Sequence, residues 1–123
     1  MLRYLLLSMV AMGFAHTALA AQCTGSEGLN GEWSVEWTKR GASKKGEKEN
    51  WTVMQRHATQ RPVTANLAVT RTDKTLSARK SETSDGNNCE YSMLSVDGPT
   101  VDGTYTCPSG GPYRIKLTCD WQE

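Results

Sequence analysis

The residues of this sequence that are best suited to chemistry are four cysteines, and their spacing decides which chemistry is open to them. They are Cys23, Cys89, Cys107 and Cys119. A zinc site needs Cys or His ligands in close pairs, and even Cys107 and Cys119 are too far apart in sequence for that. A catalytic thiol needs a histidine base, and after residue 20 the chain offers only His57. An even number of cysteines in a short exported chain instead predicts two disulfides.

The N-terminal segment has the composition of a secretory leader. Residues 1–20 combine Arg3, an apolar run from Leu5 to Ala15 and the small-x-small sequence Ala18-Leu19-Ala20. The run is shorter than the roughly 20 apolar residues of a transmembrane helix and lacks a basic flank, so we expect no transmembrane anchor. We predict a signal peptide at 1–20, followed by a single periplasmic or secreted domain at 21–123.

The charge balance bears on the kind of partner that this domain could bind. The chain has 14 basic and 13 acidic residues, and loss of Arg3 with the leader leaves the exported part neutral. A neutral exported domain is not expected to bind nucleic acid. Basic residues concentrate in segment 37–80, which could attract an anionic partner unless neighbouring strands cancel its field.

Hydrophobic residues alternate with polar ones through most of the exported chain, and this period of two is typical of strands with one buried face. Seven segments show it: GEWSVEWT, NWTVMQR, VTANLAVTR, TLSARK, CEYSMLSV, VDGTYTC and YRIKLTCDW. In this phase the inward residues include Met93 and every aromatic residue after position 20, so we expect all four tryptophans to be shielded from water. The pattern predicts an all-β fold: a small antiparallel meander barrel of about seven to eight strands, stapled by two disulfides.

Turn positions suggest how the cysteines pair. If the hairpin after Val96 centres on Gly98, Cys89 stands opposite Cys107, and the second bridge is then Cys23–Cys119. The alternative, Cys107–Cys119, fits less well because a turn centred between Gly110 and Gly111 separates those two positions.

One long connection is too polar to pack. The segment KRGASKKGEKEN, from Lys39 to Asn50, is predicted to be an exposed loop between two strands. Its five basic residues are candidates for binding an anionic envelope polysaccharide: Lys39, Arg40, Lys44, Lys45 and Lys48.

Two short resemblances add to this interpretation. LNGEWSVEW resembles the Gly-x-Trp opening strand of lipocalin- and avidin-like (calycin-type) barrels, with Gly31 and Trp33 as the matching residues, and this implies barrel architecture. SGGPY is similar to the Ser-Gly-x-x-Tyr loop with which periplasmic C-type lysozyme inhibitors enter an enzyme cleft. That resemblance implies that a turn can dock into a lysozyme-like hydrolase, through Ser109, Gly110, Gly111 and Tyr113 with Arg114 beside them.

The chain lacks the motifs of an enzyme. It has no Gly-x-Ser-x-Gly elbow, no phosphate-binding Gly-rich loop and no His-x-x-x-His pair, so we expect neither an enzyme nor a cofactor or metal. The predicted function is a non-enzymatic, monomeric binding protein whose loops contact a protein partner, such as a hydrolase, or an anionic polysaccharide. The alternative is a small-ligand-binding barrel lined by inward Trp and Tyr residues, although a barrel of this size is nearly filled by its own side chains.

Overall fold

A computed structural model of the protein describes residues 21–41 and 46–121. Eight antiparallel strands follow one another in sequence order, and the last pairs with the first to close a barrel. The strands are β1 (Gln22–Gly28), β2 (Trp33–Arg40), β3 (Glu49–Arg56), β4 (Val63–Arg71), β5 (Thr75–Ser81), β6 (Glu90–Asp97), β7 (Thr100–Cys107) and β8 (Gly110–Asp120). The predicted all-β, disulfide-stapled barrel is confirmed, whereas the predicted signal peptide at 1–20 lies outside the described residues.

The described part of the chain has no helix of the length and apolar character needed to cross a membrane.

The inward side chains of the strands form one core inside the barrel. Large rings occupy its length, and each neighbouring pair has centroids 4.6 to 6.5 Å apart, in the order Tyr113, Tyr105, Tyr91, Trp37, Trp51 and Trp121. Aliphatic residues such as Leu67, Val69 and Leu117 fill the space around this aromatic column. The three largest fully buried side chains, Trp37, Trp51 and Tyr91, therefore all belong to this column, and the alternation places each of them inward.

The strand β1 is missing from the seven segments that the alternation identifies. Its inward positions hold Cys23, Gly25 and Glu27, of which only the cysteine reads as apolar. Gly25 is required where β1 meets β8, because a Cβ atom there would lie 1.9 Å from the carbonyl oxygen of Lys116. Close approach of two backbones and an inward carboxylate thus replace the usual hydrophobic signature of a strand.

A β-bulge in β6 changes which side chains of that strand face inward. The register of β6 shifts by one residue against both β5 and β7 between Tyr91 and Leu94. The extra residue reverses the alternation, so Leu94 is fully buried while Met93 is 67% exposed. The prediction that Met93 points inward is therefore wrong.

Both predicted disulfides are confirmed. Cys23–Cys119 joins directly opposed residues of β1 and β8, and Cys89–Cys107 joins the start of β6 to the end of β7. The hairpin between β6 and β7 does not centre on Gly98 as expected, since its turn residues are Gly98 and Pro99 and Val96 pairs with Val101. The bulge restores the register beyond it, so that Glu90 pairs with Thr106 and the two cysteines meet.

Two of the four tryptophans are less shielded than expected. Trp37 and Trp51 are buried, but Trp33 and Trp121 are only half-buried because each lies near one end of the barrel. Trp121 still donates from Nε1 to the carbonyl oxygen of Gly98 at 2.8 Å. The prediction of complete shielding is therefore wrong for Trp33 and Trp121.

The bulge generates a direct test of the fold. Leu94→Ala should destabilise the protein by about 2 to 5 kcal/mol, because it removes buried volume and leaves a cavity. Met93→Ala is the matched control and should change the free energy of unfolding by less than about 0.5 kcal/mol, since its side chain faces water. Urea denaturation measures both values, and a larger effect at Met93 than at Leu94 would contradict the bulge.

Candidate functional site: a cup at one end of the barrel

One end of the barrel opens into a cup of about 300 Å³. The cup lies where β1, β3, β5 and β7 end and where β2, β4, β6 and β8 begin. Its lining residues are Glu27, Gly28, Leu29, Glu32, Trp33, Gln55, Val63, Lys80, Asp85, Asn87, Cys89, Tyr105, Cys107 and Tyr113. Eight-stranded barrels commonly hold one small ligand in such a position.

The floor of the cup is a buried polar chain of three side chains from three strands. Glu27 of β1, Gln55 of β3 and Lys80 of β5 are each no more than 6% exposed. Lys80 Nζ donates to Gln55 Oε1 at 2.7 Å, and Gln55 Nε2 donates to Glu27 Oε2. Tyr91 donates from its hydroxyl to the other oxygen of Glu27 at 3.2 Å. The amide of Gln55 therefore links a carboxylate to an ammonium group inside the barrel.

Burial shifts the pKa values of Glu27, Lys80 and the two nearby tyrosines, Tyr91 and Tyr105. Loss of solvation raises the pKa of Glu27, although the Lys80 charge and donors from Tyr105, Tyr91 and Gln55 oppose the shift. Burial likewise lowers the pKa of Lys80, against the attraction of Glu27 and Asp85. The pKa values of Tyr91 and Tyr105 rise, first because the hydroxyls are buried and then because Glu27 is close. Both hydroxyls thus stay protonated and remain hydrogen-bond donors.

The walls of the cup are aromatic and its rim is braced. Tyr105 and Tyr113 have ring centroids 5.5 Å apart on one side, and Trp33 stands on β2 with its ring 4.8 Å from that of His57. The Cys89–Cys107 bridge ties β6 to β7 at the mouth. These constraints hold the aromatic walls in place without a ligand, which lowers the entropy lost on binding.

The opposite end of the barrel is closed by a second polar cluster. Glu49 is 1% exposed and accepts from Trp51 Nε1 and Arg71 Nε, each at 3.0 Å, while Lys39 Nζ lies 3.7 Å from its other oxygen. The guanidinium of Arg71 covers the ring of Trp121, with 4.8 Å between its carbon and the ring centroid. Charges at this end are paired and capped, whereas charges at the other end line a cavity.

The residues of the predicted inhibitor turn lie in and directly after the hairpin between β7 and β8. The β7–β8 turn consists of Pro108 and Ser109, so Gly110 and Gly111 already belong to β8. Ser109 Oγ accepts a hydrogen bond from Asn87 Nδ2 at 3.0 Å. Tyr113 is half-buried in the cup wall, whereas Arg114 is exposed on the outer face of the same strand. Ser109, Gly110 and Gly111 are thus exposed at the hairpin, while Tyr113 and Arg114 lie on opposite faces of β8.

The predicted basic loop also differs from expectation. Strand β2 continues to Arg40 and β3 begins at Glu49, so the connection between them is shorter than Lys39 to Asn50. Lys39 is 5% exposed and paired with Glu49, and its placement in an exposed loop is wrong. Arg40 and Lys48 are exposed, while Lys44 and Lys45 lie outside the described residues.

Comparisons with known proteins add nothing to this geometry. Neither the protein-family models nor the curated proteins contain a match to the chain.

Within residues 21–41 and 46–121, no three His, Cys, Asp or Glu side chains form a group that could hold a metal ion.

The polar floor of the cup was not predicted from the sequence, although its residues continue the alternation. Gln55 follows Trp51 and Val53 at a spacing of two, and Lys80 follows Leu76 and Ala78 in the same way. Continuing the inward phase to the ends of these strands places both side chains inside the barrel. The same extension places Lys39, Glu49 and Arg71 inside the closed end.

The raised pKa of Glu27 predicts how stability depends on pH. In wild type, ionising this carboxyl opposes folding, so stability falls as pH rises from the ordinary value of 4.5 through the higher folded pKa. Glu27→Gln has no carboxyl to ionise. The unfolding free energy of wild type minus that of the variant should therefore decrease over that pH range. Urea denaturation at a series of pH values measures it.

A second variant sharpens the same test. Tyr91→Phe removes a hydroxyl that favours the ionised form of Glu27, so the folded pKa should rise further and the fall in stability should extend to a higher pH than in wild type. Curves that run parallel for wild type and Glu27→Gln from acid to neutral pH would contradict this account.

Proposed function

We propose that this protein is a non-enzymatic, exported binding protein that holds a small ligand in the cup. The observation that carries the proposal is the buried chain of Glu27, Gln55 and Lys80 at the base of an aromatic-walled cavity. Polar groups that converge on a concave aromatic site are the usual means by which proteins orient small ligands.

The energetics of the floor support a role beyond folding. Burying a carboxylate and an ammonium group costs several kcal/mol per ion before their contacts compensate, and apolar side chains of similar volume would stabilise a barrel at least as well. The opposite end shows how this chain closes a barrel with charges, because there the ion pairs are covered by Trp121. At the cup, by contrast, Glu27 and Lys80 line a cavity that a ligand can enter.

The location of the loops favours the cup over a loop-mediated interface. Ser109 lies at the mouth of the cup, whereas Arg40 and Lys48 lie at the closed end, where β2 finishes and β3 begins. A single protein or polysaccharide surface cannot contact Ser109 and these two basic residues together unless it spans the length of the barrel. The oxidised cysteines are compatible with a periplasmic or extracellular location, where such a binding protein would act.

Blocking the cup tests the proposal. Val63 is the first residue of β4 and faces inward at the mouth, so Val63→Trp should fill much of the cup and abolish ligand uptake. Ligand-observed NMR against a mixture of small polar and aromatic metabolites measures uptake by the attenuation of ligand signals.

Thr64→Trp is the matched control because the adjacent side chain points out of the barrel. We expect attenuation with wild type and with Thr64→Trp, and none with Val63→Trp. Equal attenuation by all three proteins would place binding outside the cup, and no attenuation by any of them would leave the cup without a ligand-binding role.

A further inference from the structure

The charges around the cup are unevenly distributed, and this bears on the kind of ligand that it accepts. Three carboxylates line the cup, from Glu27 on the floor and from Glu32 and Asp85 at the rim, against the single ammonium group of Lys80. Arg56 and Arg61 belong to the same end of the barrel but are exposed and stand outside the lining. The lining of the cup therefore carries more acidic than basic groups, a balance that favours a positively charged ligand.

The rim carboxylates are held in place by backbone groups. Glu32 Oε1 accepts from the backbone N–H of Asn30 at 2.9 Å, and such hydrogen bonds keep the pKa of Glu32 below its ordinary value. Asp85 Oδ1 accepts from the backbone N–H of Asn87, also at 2.9 Å. Both carboxyl groups are exposed, and each retains acceptor sites for a ligand.

The aromatic walls complement this charge. Trp33, Tyr105 and Tyr113 present three rings to the cup, and a cation within about 6 Å of a ring centroid is attracted by the ring quadrupole. At the rim the Trp33 ring is held by the His57 ring, whose centroid lies 4.8 Å away. Carboxylates beside aromatic faces are what a small organic cation requires.

Lys80 does not reverse this preference. Its Nζ is buried and donates to Gln55 Oε1 at 2.7 Å, and its charge is offset by Glu27 and Asp85. From these observations we infer that the ligand of the cup is a small organic cation, bound between the rim carboxylates and the rings of Trp33, Tyr105 and Tyr113. This inference rests on the proposed ligand-binding function and names the chemical class of the ligand.

Three probes of nearly equal shape test the inference. Choline carries a positive charge, 3,3-dimethylbutanol is its neutral carbon isostere, and glycine betaine adds a carboxylate to the same ammonium group. Calorimetry gives their affinities, and the indole Nε1–H signal of Trp33 in NMR spectra locates the binding. We expect choline to bind about tenfold more tightly than its isostere, and no more weakly than betaine.

Rim variants separate charge from shape. Glu32→Gln and Asp85→Asn keep an acceptor oxygen and should each weaken choline binding by a factor of about 2 to 5, with Trp33→Leu weakening it about tenfold. Asp97→Asn is the matched control, because this exposed carboxylate lies at the far end of β6, and the affinity should stay unchanged.

Three results would overturn the inference, and none of them decides whether the cup binds a ligand. Equal affinity for choline and its isostere would show a neutral ligand site, and preference for betaine would show that Lys80 dominates. Failure of all three probes to shift the Trp33 signal at millimolar concentrations would remove organic cations altogether. The proposed function is judged separately, by Val63→Trp against Thr64→Trp with the metabolite mixture.

Discussion

The pairing of β1 with β8 is the constraint on which the rest of this structure depends. It turns an open meander into a barrel without edges, and the directly opposed Cys23 and Cys119 fix its register covalently. Because side chains alternate along a strand, a slip of one residue would move Glu27 from the interior to the surface. The floor of the cup therefore exists only while this seam keeps its register.

Charged side chains occupy inward positions at both ends of the barrel, and each end accommodates them differently. At the closed end, Glu49 is surrounded by Lys39, Arg71 and the indole of Trp51, and Trp121 covers the group. At the cup, Glu27 and Lys80 are joined through Gln55 and face a cavity. Hydrogen bonds and ion pairs to the inward charged groups are what permit charges in so small an interior, and the arrangement at the cup is the one that leaves room for a ligand.

Most of the architecture could be predicted from the sequence, because alternation and cysteine spacing are local or additive signals. The all-β barrel and both disulfides follow from them. The strand β1 could not be recognised, since Gly25 serves a close backbone contact and Glu27 a polar floor, neither of which looks like a buried strand face. The site was the least predictable part, because Gln55 and Lys80 form the polar floor only when three strands that are distant in sequence come together.

Both ends of the described chain meet at the closed end of the barrel, and this gives the Cys23–Cys119 bridge a mechanical consequence. The bridge spans 96 positions of sequence, so almost the whole domain lies within the loop that it closes. A pulling force applied between residues 21 and 121 is carried by the covalent bond rather than by the strands. The domain would lengthen very little under tension, and the cup at the other end would keep its shape.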